Sequence, residues 1–347
     1  MKVVILYDGV ADDWSDRDVS SVIQSVRRVA EVLRSAGHVV QRIPVRPGLR
    51  WLAPCRRADV VVNLCEGVGA VSRAESLVAG TLELSGVPFT GARPEVMVTC
   101  LRKPVANALL AARGLPVPRW VMPNGHKIPG DFPLPAIVKP ATEDASVGID
   151  QGSVVSSRSA LTARVAEMSE QFDEVIVQQY IGGRELAVGF VGNQALPVSE
   201  IDFSAMPEGA WPILSFDAKW EAGSPEDIGS RPICPARVPK ALQDRLVNIA
   251  REAWRAVGGT GYGRVDFRLD DAGHPWVLEV NPNPDLSEDA GLARMARAFG
   301  WTYEDLVIRI VELARADAER TQSVSVALQT GTRSRAGQRS DGPQQPA

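Results

Sequence analysis

The chain opens on an apolar, β-branched run, Val3-Val4-Ile5-Leu6, which predicts a buried strand over residues 2–7. Residues 8–18 are polar and predict a loop. Val22, Val26, Val29, Ala30 and Leu33 then recur at helical spacing, which predicts a helix over 19–35 that stops near Gly37. Alternation returns over 38–43, and Val60-Val61-Val62 carries a third strand over 59–64. A helical pattern follows over 74–84, and Gly86-Val87-Pro88-Phe89-Thr90-Gly91 turns back into extended chain. Strand and helix in alternation predict an α/β unit, a parallel sheet covered by helices. It occupies residues 1–95.

The next helix is expected over 96–113, broken by Gly114-Leu115-Pro116-Val117-Pro118. Short strands are predicted over 136–139, 152–155 and 174–178, with a helix over 159–170 among them. From Glu185 the pattern is strand-rich until a long helix over 239–257. Two strands, 263–269 and 275–280, flank Asp270-Asp271-Ala272-Gly273, a good turn. The last helical region is expected over 292–316. Beyond Glu319 the chain is rich in Ser, Gln, Gly, Arg and Pro, and a disordered tail is expected over 320–347.

Composition narrows the function classes. Lys+Arg 38 against Asp+Glu 42 gives a net charge of -4, without the basic excess of a general nucleic-acid binder. No stretch reaches the roughly 18–20 apolar residues of a membrane span, and the opening apolar run is too short for a signal peptide. Cys55, Cys65, Cys100 and Cys234 are scattered, with no close pair for zinc or a disulfide framework. Reduced thiols in the cytoplasm are the expectation. With only His38, His126 and His274, chemistry built on several histidines is disfavoured. No G-x-G-x-x-G follows the first strand, where Asp8-Gly9-Val10-Ala11 stands, so a dinucleotide dehydrogenase is disfavoured too.

The strongest chemical signal lies in the two strands around residue 270. Period-two alternation on paired strands places Asp266, Glu279 and Asn281 on one face, with Arg264 beside them. Two carboxylates and an amide oxygen are hard donors that suit Mg²⁺, with Mn²⁺ as an alternative ion. A solvated hairpin is the competing reading. Glu279 argues against it, because it interrupts the apolar Trp276-Val277-Leu278 and Val280.

This hairpin resembles the metal-binding element of ATP-grasp ligases, in particular the D-alanine–D-alanine ligase family. The resemblance runs from near the N-terminus to about residue 317. It implies an ATP-grasp fold of three α/β domains, with nucleotide between the central (96–180) and C-terminal (181–319) domains. Lys103 and Lys139 match the family's two nucleotide-binding lysines, and Lys219, in Phe216-Asp217-Ala218-Lys219-Trp220, matches a third near the γ-phosphate. Alone, Lys103 and Lys139 would each more often be a surface lysine, and Lys219 reads equally as one. The segment Ala141-Thr142-Glu143-Asp144-Ala145-Ser146-Val147-Gly148-Ile149 is similar to the family's phosphate loop. Ser146 and Gly148 match, while Asp144 stands where Gly is usual and Ala145 where Ser is usual. Gln178, Tyr180 and Ile181 resemble the adenine hinge, with main-chain groups reading the base, and Glu185 resembles its ribose-binding acid. Gln178 replaces a more usual Glu.

The resemblance implies a cytoplasmic ligase that activates a carboxylate as an acyl phosphate with Mg²⁺ and ATP, then couples it to an amine. The substrates are small molecules, expected to be amino acids. Lys139 would neutralise the transferred phosphoryl group, and Arg264 would stabilise the oxyanion. Asp18 stands where the family carries an amino-binding Glu, and equally reads as a helix-cap acid. Glu66, at the carboxyl end of the third strand, and Asn283 are further substrate candidates. Homodimers are common in the family, and the sequence leaves that state open.

The family's segment for the second substrate's carboxylate contains Gly and Ser. Here it reads Asp285-Leu286-Ser287-Glu288-Asp289-Ala290. Asp285, Glu288 and Asp289 make an acidic rim that would favour a cationic or amine-bearing acceptor, so the expected product is not D-alanyl-D-alanine. Another amide-forming or ring-closing reaction, and a nucleotide-binding protein without turnover, are the alternatives.

Overall fold

The computed structural model describes residues 1–9, 16–69, 71–123 and 127–336. Strands β1 (Lys2–Asp8), β2 (Val39–Val45) and β3 (Val60–Leu64) form a parallel sheet in the order β2-β1-β3. Alternation along β1 decides what each face buries. Val3 and Ile5 pack with Val26, Val29 and Leu33 of helix α1 (Asp16–Ser35). Val4 and Leu6 pack on the other face with Trp51, at the start of the short helix α2 (Leu52–Cys55), and with Val78 and Leu82 of α3 (Glu75–Leu84).

The helix expected over 96–113 is two helices, α4 (Pro94–Leu101) and α5 (Lys103–Ala112). Pro104 is the cause. It donates no N–H and cannot follow a helical turn without a clash, so it tolerates only the first turn of a new helix. The Lys103 N–H bonds the Ala141 carbonyl instead, at 3.0 Å. Both helices join the core of the third sheet through Val96, Met97, Cys100 and Leu110.

The second sheet is antiparallel: β4 (Trp120–Val121), β5 (Ala136–Pro140), β6 (Val154–Val155) and β7 (Val175–Gln179), ordered β4-β7-β5-β6. Leu161, Val165 and Met168 of α6 (Arg158–Gln171) cover it. Ser157 caps that helix by accepting the Ala160 N–H at 3.2 Å.

The third sheet contains β8 (Glu185–Val191), β9 (Gln194–Ala195), β10 (Ser199–Asp202), β11 (Arg231–Ile233), β12 (Tyr262–Leu269) and β13 (Pro275–Pro282). Its main order is β11-β10-β8-β12-β13, all antiparallel. Between β10 and β11 lie the short helices α7 (Phe216–Trp220) and α8 (Pro225–Gly229). Leu246, Ala250, Ala253 and Trp254 of α9 (Lys240–Ala256) pack on Val188, Phe190, Val265 and Phe267.

Leu292 and Met295 of α10 (Gly291–Phe299), with Leu306 and Ile310 of α11 (Tyr303–Ala336), share one core with α1 and β1. The last helix, expected over 292–316, is two helices, and the backbone of the second runs on to Ala336. Residues 337–347 lie outside the described residues. Among the described residues, no helix is long and apolar enough to cross a membrane.

Candidate functional site

The β12–β13 pairing sets Arg264 opposite Asn281 and Asp266 opposite Glu279, and the register shifts just after Asp266. The four side chains are brought together on one face. Arg264 grips Asp266 with two hydrogen bonds, Nε to Oδ1 at 2.7 Å and Nη2 to Oδ2 at 2.8 Å. Asn281 Nδ2 donates to Asp266 Oδ2 at 2.7 Å. Two carboxylates opposite one another across strands repel unless cations intervene. Arg264 answers Asp266, and the Lys103 ammonium stands 3.6 Å from Glu279 Oε1. Burial opposes the Glu279 charge, but Lys103, Lys139, Lys219 and Arg264 outweigh it and hold its carboxyl below the ordinary value. Burial likewise disfavours the Arg264 charge, and Asp266 more than restores it.

Among the described residues no group of three or more His, Cys, Asp or Glu forms a metal cage. The hard oxygen donors here are two carboxylates and one amide. That set fits a magnesium that keeps water and phosphate oxygens as its other ligands.

Three lysines surround this face. Lys139 on β5 is buried, and burial, reinforced by Lys103, draws its ammonium down to about 8. Lys103 also donates to the Glu143 carbonyl, which ties it to the 141–149 loop. Lys219 on α7 is open to solvent at its surface, yet Arg264, Glu279, Asp266 and Glu185 all act on it electrostatically. Crowding by protein, then Arg264, pulls its ammonium down, an effect that solvent screens.

The 141–149 loop is fastened to the segment that carries Lys219. Ser146 Oγ donates to the Leu214 carbonyl at 2.7 Å, Trp220 Nε1 to the Ala145 carbonyl at 3.0 Å, and the Phe216 N–H to Ile149 at 2.8 Å. Ala145 and Ser146 hold left-handed backbone, φ 49° and 65°, a conformation that glycine adopts at less cost. Gly148 is required at φ 73°, since a Cβ there would meet Phe172 and Pro140 at 2.8 Å. Asp144 is raised first by loss of hydration and then by Glu279, while Lys103 and Lys219 oppose the shift.

At the other end of the cleft, the Gln178 side chain is buried, and neither its amide oxygen nor its nitrogen has a protein partner. A buried orphan amide is costly, and the edge of a purine offers the donor and acceptor it lacks. The Tyr180 N–H donates to the Pro135 carbonyl at 3.0 Å. Ile181 is buried beside it. Glu185, the expected ribose acid, pairs through Oε2 with Arg268 at 2.8 Å. Sequence reasoning passed over Arg268. Its signal was a charge on the same alternating face as Arg264 and Asp266.

The substrate candidates gather between the first and third sheets. Asp8 accepts the N–H groups of Glu66 and Gly67, each at 3.1 Å, and the Cys65 thiol at 2.8 Å. Its own carboxyl is raised by burial. Glu66 is exposed just beyond β3. Protein crowding first, then Asp285, Asp8, Glu75 and Asp144, raises its carboxyl. Glu75 is half-buried and was not foreseen; burial lifts it to about 8, although Asn283 opposes this.

Asn283 was expected to touch substrate, but protein occupies its amide at both ends. Nδ2 donates to Glu75 Oε1 at 3.0 Å, and Oδ1 accepts the Ala92 N–H at 2.7 Å. The Asp18 side chain lies outside the described residues.

The acidic rim is smaller than expected. Glu288 turns away to Arg28, which also pairs with Glu304. Asp285 remains within electrostatic reach of Glu66, its Oδ1 bound by the Ser287 N–H and hydroxyl.

Comparison with known proteins adds to this geometry. Residues 109–312 match a family model described as D-ala D-ala ligase C-terminus. The D-alanine–D-alanine ligase of Gluconobacter oxydans is 33% identical over 312 residues, 88% of this chain and 96% of that protein. An uncharacterized protein of Sinorhizobium fredii, y4sG, is 30% identical, covering 82% of this chain and 86% of its own length. Among solved structures, a D-alanine–D-alanine ligase from Bacillus anthracis complexed with ATP superposes with a TM-score of 0.75. It is 21% identical and covers 92% of this chain and 99% of that one, so it supports the fold.

Proposed function

The chain belongs to the D-alanine–D-alanine ligase family, and from that premise we propose that it is an ATP-dependent, ADP-forming ligase that joins amino acids through an amide bond. The observation that carries this reading is Glu279. Four cations, Lys103, Lys139, Lys219 and Arg264, converge on it electrostatically, and Asp266 lies opposite it. Such a constellation suits a polyphosphate and a divalent ion better than it suits bare protein.

In this reading the carboxylate of one substrate takes the γ-phosphoryl group of ATP, giving an acyl phosphate and ADP. The amine of the second then displaces phosphate. Asp266, Glu279 and Asn281 would hold Mg²⁺, which would neutralise charge on the phosphate oxygens. Lys103, Lys139 and Lys219 bind and orient the polyphosphate. Ser146 and the left-handed backbone around it shape the loop over the transferred group. Arg264, held flat by Asp266, faces the developing oxyanion. The buried Gln178 amide and Ile181 receive the adenine, and Glu185 receives the ribose.

The second substrate, in our reading, is cationic or rich in amines, and the product is not D-alanyl-D-alanine. Asp285 supports this, because it adds a carboxylate within electrostatic reach of Glu66, on which Asp8 and Glu75 also act. The test is ADP release with Mg²⁺-ATP against single and paired amino acids, with product mass read alongside. The expected result is release with a pair that includes a basic or diamine acceptor. Robust D-alanyl-D-alanine formation at ordinary concentrations would overturn the substrate reading, and no ADP release with any substrate would overturn the ligase reading. Release with one substrate and loss of water would instead favour ring closure or self-condensation.

A further inference from the structure

Arg268 lies on β12, 3% exposed, at the junction of the adenine hinge and the third sheet. A guanidinium is expensive to bury unless its donors are matched. Here Nη1 donates to the Gly183 carbonyl at 2.9 Å, and Nη2 reaches both Glu185 Oε2 and the Pro212 carbonyl. The rings of Tyr180 and Phe203 lie 5.7 Å and 5.1 Å from its central carbon, the distance of a cation–π contact.

Its partners come from two stretches far apart in sequence. Gly183 is in the hinge and Glu185 starts β8. Pro212 lies in a strap over 211–216, which holds Gln151 through Trp211, Ser146 through Leu214, and Ile149 through Phe216. One buried cation therefore fixes the hinge and the strap that fastens the 141–151 stretch. It also fixes the orientation of the Glu185 carboxylate.

We infer that Arg268 is a positioning residue for the nucleotide ribose: by holding Glu185 Oε2, it aims Oε1 at the ribose hydroxyls and fixes the hinge beneath them. The inference rests on the nucleotide reading above and goes beyond it, since Arg268 itself touches no reacting atom. A planar fork is needed for this task. Lysine supplies the charge but cannot serve Gly183, Glu185 and Pro212 from one rigid plane.

Direct binding measurements with the full-length protein test this apart from the amino-acid substrates. The dissociation constants of Mg²⁺-ATP, 2′-deoxy-ATP and 3′-deoxy-ATP are compared by calorimetry for the wild type, R268K, R268M and E185Q. The wild type is expected to prefer ATP by ~10-fold or more over at least one deoxy analogue, because a site that hydrogen-bonds a hydroxyl leaves its own acceptor unpaired when the hydroxyl is missing. R268K is expected to erode that preference to within about 2-fold, as E185Q does, while remaining folded. A merely structural role would weaken all three nucleotides equally and leave the preference intact, which would overturn the inference. A wild-type protein that binds ATP without preference would overturn it as well. A wild type that binds no ATP would overturn the nucleotide reading itself. If R268M fails to fold, R268K alone decides.

Discussion

The Lys103 ammonium stands 3.6 Å from Glu279 Oε1, joining the first turn of α5 to the middle of β13. The break at Pro104 makes this possible, since it starts a helix at Lys103. Replacing Glu279 with Gln would leave Lys103, Lys139, Lys219 and Arg264 around a neutral amide and remove one of two carboxylate donors. E279Q is expected to lower magnesium-dependent ADP release on the order of 100-fold and to raise the Mg²⁺ needed for half-maximal rate. An unchanged Mg²⁺ titration would take Glu279 out of the metal site.

Lys139 gives a pH signature. Its ammonium is drawn from 10.5 down to about 8 by burial first and Lys103 second. For a lysine with a depressed folded pKa, the charged form is the strained one. It costs stability below pH 8, and that cost is relieved as pH rises from 8 towards 10.5. A polyphosphate reverses the preference, so binding ATP near pH 8 is expected to take up roughly half a proton at this site. Affinity should weaken as pH rises through that value. Calorimetry in two buffers of different ionisation enthalpy measures the uptake. K139M should leave only the share of Lys219, which is shifted in the same direction. Equal heats in both buffers would refute the shift.

The sequence made the hairpin legible because alternation and a turn tetrad mark the two strands locally. Period two keeps Arg264 with Asp266 and Glu279 with Asn281, but the two pairs share a face only because the register shifts after Asp266, which alternation does not reveal. Partners set by long-range topology were not legible. Glu288 reads as an open acid until Arg28, 260 residues upstream, is folded against it. Glu75 reads as part of an amphipathic helix until Asn283, 208 residues downstream, reaches it. The α4–α5 break was hidden because helical spacing continues through Pro104, and only the proline marked it.

Asp285 sets the acceptor preference in the proposed reaction. D285G removes the largest charge effect acting on Glu66 and lowers that carboxyl towards its ordinary value. The ratio of kcat/KM for a cationic acceptor over a neutral amino acid should fall by about 10-fold, the equivalent of roughly 1.4 kcal/mol. Competition between two acceptors, with product masses compared, measures it. An unchanged ratio would mean that the acceptor lies elsewhere.

Gly91 is a fitted position. Its φ is 100°, and a Cβ there would collide with Asn283 Oδ1. G91A is expected to cost about 1–3 kcal/mol from backbone strain, with a further penalty for displacing Asn283. Combined with N283A, the penalty should be less than the sum, because the colliding amide is gone. Chemical denaturation of the two single variants and the double variant tests this, and strict additivity would show that the collision contributes nothing.

That joint also limits how the chain can exchange parts with its relatives. Gly91 and Glu75 come from the first third of the sequence, and Asn283 comes from near the end of the last sheet. Any genetic crossover between residues 92 and 282 inherits one half from each parent. A hybrid keeps the joint only where both parents already carry matching halves. Grafting a relative's N-terminal unit alone would therefore bring a new Glu75 and Gly91 without the Asn283 they are fitted to.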